Sequence, residues 1–162
     1  MRHAFPIVLC GAAAAAALFA ALRIGEPAAA RRPDPWLTSF RARSLNARLL
    51  SESEDLSQHF PILEWREGFR ERGLLRAPIR EYLVEDVRVQ IVSFPPGRSP
   101  ENWIETGKVR DSDTKRVYFV ELVGRFLLLF HDVQRTPFGF PRSVPESLRN
   151  RILDAFRFAA GE

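Results

Sequence analysis

Few residues in this chain are equipped for chemistry. His131-Asp132 sets an imidazole beside a carboxylate, the types that make a general base and the group that orients it. The pair ends a β-rich run, however. Neighbouring side chains on a strand point to opposite faces, so these two are poorly placed to bond each other. No G-x-S-x-G turn supplies a nucleophile. Asp111-Ser112-Asp113, with Glu105 upstream, carries carboxylates at the spacing that opens a cation loop. A calcium loop needs D-x-[DN]-x-[DN]-G and a distal Glu, whereas Thr114 and Lys115 follow here, so a polar turn is expected. His59 stands far from His131, too isolated for a transition-metal site. Glycine-rich phosphate loops are absent, and Pro96-Gly97-Arg98 reads as a loop tip. These residues lead to the expectation of a non-enzyme with no cofactor and no metal.

Composition narrows the classes further. The single cysteine, Cys10, lies in the apolar N-terminal stretch. The remainder therefore lacks any thiol nucleophile, disulfide or Cys-based zinc site. The net charge is +4, from 24 basic residues that are all arginine except Lys108 and Lys115. The arginines are spread along the chain among acids, as in Glu64-Trp65-Arg66-Glu67. A phosphate-tracking surface needs clustered charge, so no nucleic acid is expected as partner.

Ala4 to Leu22 contains no charged residue. As a helix it would rise about 28 Å, close to the hydrocarbon thickness of a bilayer. Two readings compete. A single-pass anchor fits the length of the stretch, with Arg23 and Trp36 near the interface and Gly11 to Ala17 as a small-residue packing face. A cleaved export signal fits Arg2 and the Ala28-Ala29-Ala30 site before Arg31. An Arg-rich, acid-poor organelle presequence is a third option. The expected organisation is residues 1–23 as anchor or signal, 24–35 as a Pro- and Gly-punctuated linker, and 36–162 as one small α+β domain. A domain of that size buries roughly two-thirds of its unfolded surface and needs no staples.

Within the domain, Trp36, Leu37, Phe40, Leu45, Leu49 and Leu50 recur at helical spacing. A second helix is expected to open at Pro61, bury Ile62, Trp65 and Phe69, and stop at Gly73. From about residue 82 the period becomes 2, and Val87, Val89 and Ile91 mark a half-buried strand. A strand over Trp103–Val109 is expected next. Val117–Val123 and Phe126–Val133 then form a hairpin around Gly124-Arg125, a pair suited to a II′ turn. Phe126-Leu127-Leu128-Leu129-Phe130 is apolar on both faces, so it belongs mid-sheet or beneath a partner. Ser143–Gly161 reads as a closing helix with Leu148, Ile152, Leu153 and Phe156 as its stripe. The sum is two helices, a four-stranded, mainly antiparallel sheet and a C-terminal helix.

Phe138-Gly139-Phe140, between Pro137 and Pro141, places two aromatics in an irregular segment. Such residues anchor protein–protein contacts, and Phe138, Phe140 and Trp36 are the candidate contact residues. The function these features suggest is a non-catalytic, single-pass accessory subunit of a larger membrane complex, of the respiratory-chain or ATP-synthase kind. Its home would be a mitochondrial or bacterial inner membrane. The expected partners are the lipid bilayer and other membrane subunits, held through the N-terminal helix and the apolar sheet. The alternative is a small periplasmic or secreted binding domain released after Ala30.

Overall fold

The computed structural model describes residues 33–135 and 141–161. The Ala4–Leu22 stretch, Phe138 and Phe140 lie outside the described residues. Asp34 onward forms one compact unit. It is α+β: a six-stranded antiparallel sheet of order β1-β2-β3-β6-β5-β4 with helices on both faces. Two three-stranded meanders, β1 (Ala47–Asp55), β2 (Arg76–Val84), β3 (Val87–Ser93) and β4 (Gly107–Arg110), β5 (Val117–Val123), β6 (Phe126–His131), meet where β3 pairs β6. Helices α1 (Pro35–Ala42) and α4 (Glu146–Ala160) supply one core, with Trp36, Phe40, Ile152 and Phe156 against Tyr82, Val89, Leu128 and Phe130. Helices α2 (Leu56–His59) and α3 (Leu63–Glu71) supply the other, with Phe60, Trp65 and Phe69 against Ile79, Val92, Leu127 and Leu129. A short ribbon, β7 (Gln134–Arg135) with β8 (Pro141–Arg142), precedes α4.

The sheet has six strands, not the expected four, because the first helix is shorter than its apolar spacing suggests. It ends at Ala42 in a Schellman turn, with Leu45 N donating to Phe40 O and Ser44 N to Arg41 O. Ser44 takes the left-handed position at φ 56°. The chain then leaves as edge strand β1, whose Leu49 is 38% exposed. Pairing with β2 overrides the helical preference of Arg48, Leu49 and Leu50.

Strand β2 is hidden for another reason. Ala77 and Ile79 enter the α2/α3 core, while Tyr82 and Val84 enter the α1/α4 core. One strand serving two cores shows no single apolar phase. Pro78 is tolerated at its start, beside a bulge in β1 and beyond the last β3 partner. The expected strand at Trp103 begins only at Gly107, since residues 101–103 form a turn.

Elsewhere local signals predict the elements well. Helix α3 ends at Gly73 (φ 65°) in a second Schellman turn, with Leu74 N donating to Phe69 O and Gly73 N to Arg70 O. In the β5–β6 turn Gly124 has φ 53° and Arg125 is not left-handed, as a II′ turn requires. Strand β6 lies inside the sheet, with Leu127 to Phe130 at most 1% exposed. The apolar sheet faces expected to meet a partner are thus buried by the chain's own helices.

Candidate functional site

His131 and Asp132 fall on opposite sides of the sheet. The His131 ring lies 5.3 Å from Tyr118, on the α2/α3 side. Asp132 Oδ2 meets Lys108 Nζ at 3.3 Å, and that ammonium also sits 5.6 Å from the centre of Phe119, which belongs to the α1/α4 core. Burial, then the charge of Arg116, holds the His131 imidazole below its ordinary pKa, against a smaller opposing pull from Asp132. The pair does not form a base–orienter couple.

Asp111 is fully buried, and its carboxylate is occupied by its own loop. It accepts from Asp113 N at 3.4 Å, Thr114 N at 3.3 Å and the Thr114 hydroxyl. This is a closed polar turn, with Lys115 left-handed at φ 58°. Glu105 and His59 are exposed. Among the described residues, His, Cys, Asp and Glu form no group of three able to hold a metal. Trp36, a candidate contact residue, is 4% exposed, with its ring 5.4 Å from Phe156 and 5.2 Å from Phe126.

Charged groups tie the domain together at its first residue. Asp34 Oδ1 accepts from Trp36 N (2.9 Å) and Leu37 N (3.3 Å), capping α1. Its Oδ2 accepts from the Tyr82 hydroxyl at 2.9 Å, with Arg80 at 3.7 Å. Burial first, then the Asp34 charge, pushes the Tyr82 phenol well above its ordinary pKa. This cluster fastens helix to sheet.

A recess with two arginines in its lining lies at the end of α3. It is an open cleft of about 440 Å³ lined by Arg72, Leu74, Arg98, Ser99, Asn102 and Trp103. Three turns build it. The Schellman turn carries Arg72 and Leu74. Pro95-Pro96-Gly97-Arg98 closes through Arg98 N to Pro95 O at 3.1 Å with Gly97 at φ 74°, the pattern of a type II turn, and brings Arg98 over Gly73. Pro100 O accepts from Trp103 N and Ile104 N, both at 3.1 Å. Ser99 Oγ donates to Gly124 O at 2.7 Å, tying this loop to the β5–β6 turn.

The Trp103 ring sits edge-on to Phe69 at 5.0 Å, under the Arg72 guanidinium at 4.6 Å. A Cβ on Gly68 would come within 3.0 Å of it, which accounts for a glycine inside a helix. The sequence reading takes Pro96-Gly97-Arg98 as a loop tip and Trp103 as a strand residue, and so misses this cleft. The local signal was the Pro-Pro-Gly turn, which reverses the chain at Arg98; that it meets the end of α3 is decided by the fold.

Compared with known proteins, the chain matches no described family, no curated protein and no solved structure.

Proposed function

We propose that the chain is a non-catalytic, single-pass accessory subunit of a larger membrane complex, its domain carried at the membrane surface. The observation that carries this reading is the charge-free stretch Ala4–Leu22. Among the described residues no helix is long and apolar enough to cross a membrane, so the anchor role rests on that stretch. Residues 23–33 separate it from Asp34. Eleven residues reach at most about 40 Å, so the tethered domain stays close to neighbours in the same bilayer.

The domain itself favours a peripheral position. Its helices cover both faces of the sheet. Its edges are poor templates for strand addition: β1 has two irregularities and carries Arg48, Glu52, Glu54 and Asp55, while β4 is four residues long with Lys108 and Arg110. Contact with other subunits then falls to the anchor and to side chains outside the sheet.

One feature favours an exported domain instead: Ala28-Ala29-Ala30 before Arg31 has the pattern of a signal-cleavage site, and cleavage there would leave Asp34 and its bonds to α1 and Tyr82 intact. Intact-mass measurement of the native protein after gentle detergent extraction separates the two. A mass near 18.5 kDa in a peak with stable partners supports the subunit. A mass of about 15.6 kDa, the chain less its first 30 residues, running alone without detergent, rejects it in favour of the exported domain.

A further inference from the structure

The cleft at the end of α3 contains two guanidiniums and no carboxylate in its lining. The Arg98 side chain has no hydrogen-bond or ion-pair partner among the described residues. The Arg72 guanidinium sits over Trp103, with Nη1 reaching Gly68 O at 3.2 Å and only a long contact, 3.8 Å, to the exposed Glu71. Helix C-termini ordinarily repel anions. Here the last carbonyls already accept bonds: Gly68 O from Arg72 N, Phe69 O from Leu74 N, and Arg70 O from Gly73 N. Arg72 and Arg98 add two positive charges beside these carbonyls.

We infer that this cleft is a binding site for the phosphate group of a small ligand. Arg72 and Arg98 sit on separate turns, and with the Asn102 amide they offer more donors, from more directions, than a planar carboxylate can accept. A tetrahedral phosphate accepts from several sides at once. The Trp103 ring and Leu74 provide an apolar wall for the rest of the ligand. The site depends on the domain alone and is independent of whether the N-terminal stretch anchors it.

The test is calorimetric titration of the full chain in non-ionic detergent at constant ionic strength. Three probes are used: glycerol 3-phosphate, short-chain phosphatidic acid and a diacylglycerol of the same chain length. Saturable binding of glycerol 3-phosphate at one site is expected. Each of Arg98→Gln and Arg72→Gln should weaken it at least about tenfold, the worth of one charge-assisted hydrogen bond. Arg88→Gln, at a β3 arginine 74% exposed and outside the cleft, should leave it unchanged. Binding of phosphatidic acid alone, with the same dependence on Arg98, supports the site and identifies a lipid headgroup as the source of the phosphate. Arg98→Gln is the clean variant, because that guanidinium bonds nothing among the described residues and its melting temperature should match the parent. Absence of saturable binding by either phosphate probe overturns the inference. So does equal binding of diacylglycerol, or an Arg88→Gln effect as large as that of Arg98→Gln.

Discussion

Replacing Asp34 by alanine should destabilise the domain far more than an exposed turn residue normally would. Its carboxylate does two jobs at 2.9 Å each, capping α1 through Trp36 N and accepting from the Tyr82 hydroxyl. Loss of an N-cap costs about 1 kcal/mol. Tyr82 is fully buried, so orphaning its hydroxyl adds about 1–3 kcal/mol. Asp34→Ala should therefore cost about 2–4 kcal/mol, a fall in Tm of roughly 10 °C at about 4 °C per kcal/mol for a domain of this size. Asp34→Asn keeps an acceptor for the helix and an amide for Tyr82, and should cost under about 1 kcal/mol. Tyr82→Phe removes the group that Asp34→Ala orphans. The double variant should then cost about 1–2 kcal/mol less than the sum of the singles. Urea unfolding of the four proteins of the cycle, plus Asp34→Asn, measures these terms. If Asp34→Ala costs no more than Asp34→Asn, or if the coupling falls below about 0.5 kcal/mol, the fastening of α1 to the sheet through Asp34 is refuted.

The two Schellman turns make opposite predictions. Ser44 occupies a left-handed position without being glycine, so Ser44→Gly should stabilise the domain by about 1 kcal/mol, while Gly73→Ala should cost a similar amount, both read from urea midpoints. For Tyr82 the folded pKa lies above the ordinary 10.0, so above about pH 10 the unfolded chain loses a proton the folded chain keeps. Stability should decline as pH rises past that point, and Tyr82→Phe should flatten the decline. For His131 the folded pKa lies below 6.5, so the unfolded chain binds the extra proton first as the pH falls. The His131 contribution is therefore present above pH 6.5 and is lost on going down through the folded pKa. His131→Asn should flatten that acid limb in a pH series of denaturation midpoints.

Elements whose pattern is set by near neighbours were legible in the residues alone. Helix α3 announces itself through Trp65, Phe69 and the Gly73 stop, α4 through Leu148, Ile152 and Phe156, and the β5–β6 hairpin through Gly124. The structural reading of His131-Asp132 follows from the same short-range rule, since strand neighbours face apart. The α+β class followed from these elements together. The charge-free Ala4–Leu22 stretch is likewise a property of composition.

Long-range pairing decided the rest. Strand β1 is spelled in residues that favour helix, and it is a strand because Ala47 through Asp55 find partners along β2. Strand β2 loses its period because it changes cores midway, which no window of sequence reveals. Asp34 and Tyr82 are 48 positions apart, and Arg72 and Arg98 are brought to one cleft by the loop after β3. Local sequence sets backbone preference and which faces are apolar. Which turns converge, and which charges they bring together, depends on where the chain returns, and that is settled only when both cores close around the sheet.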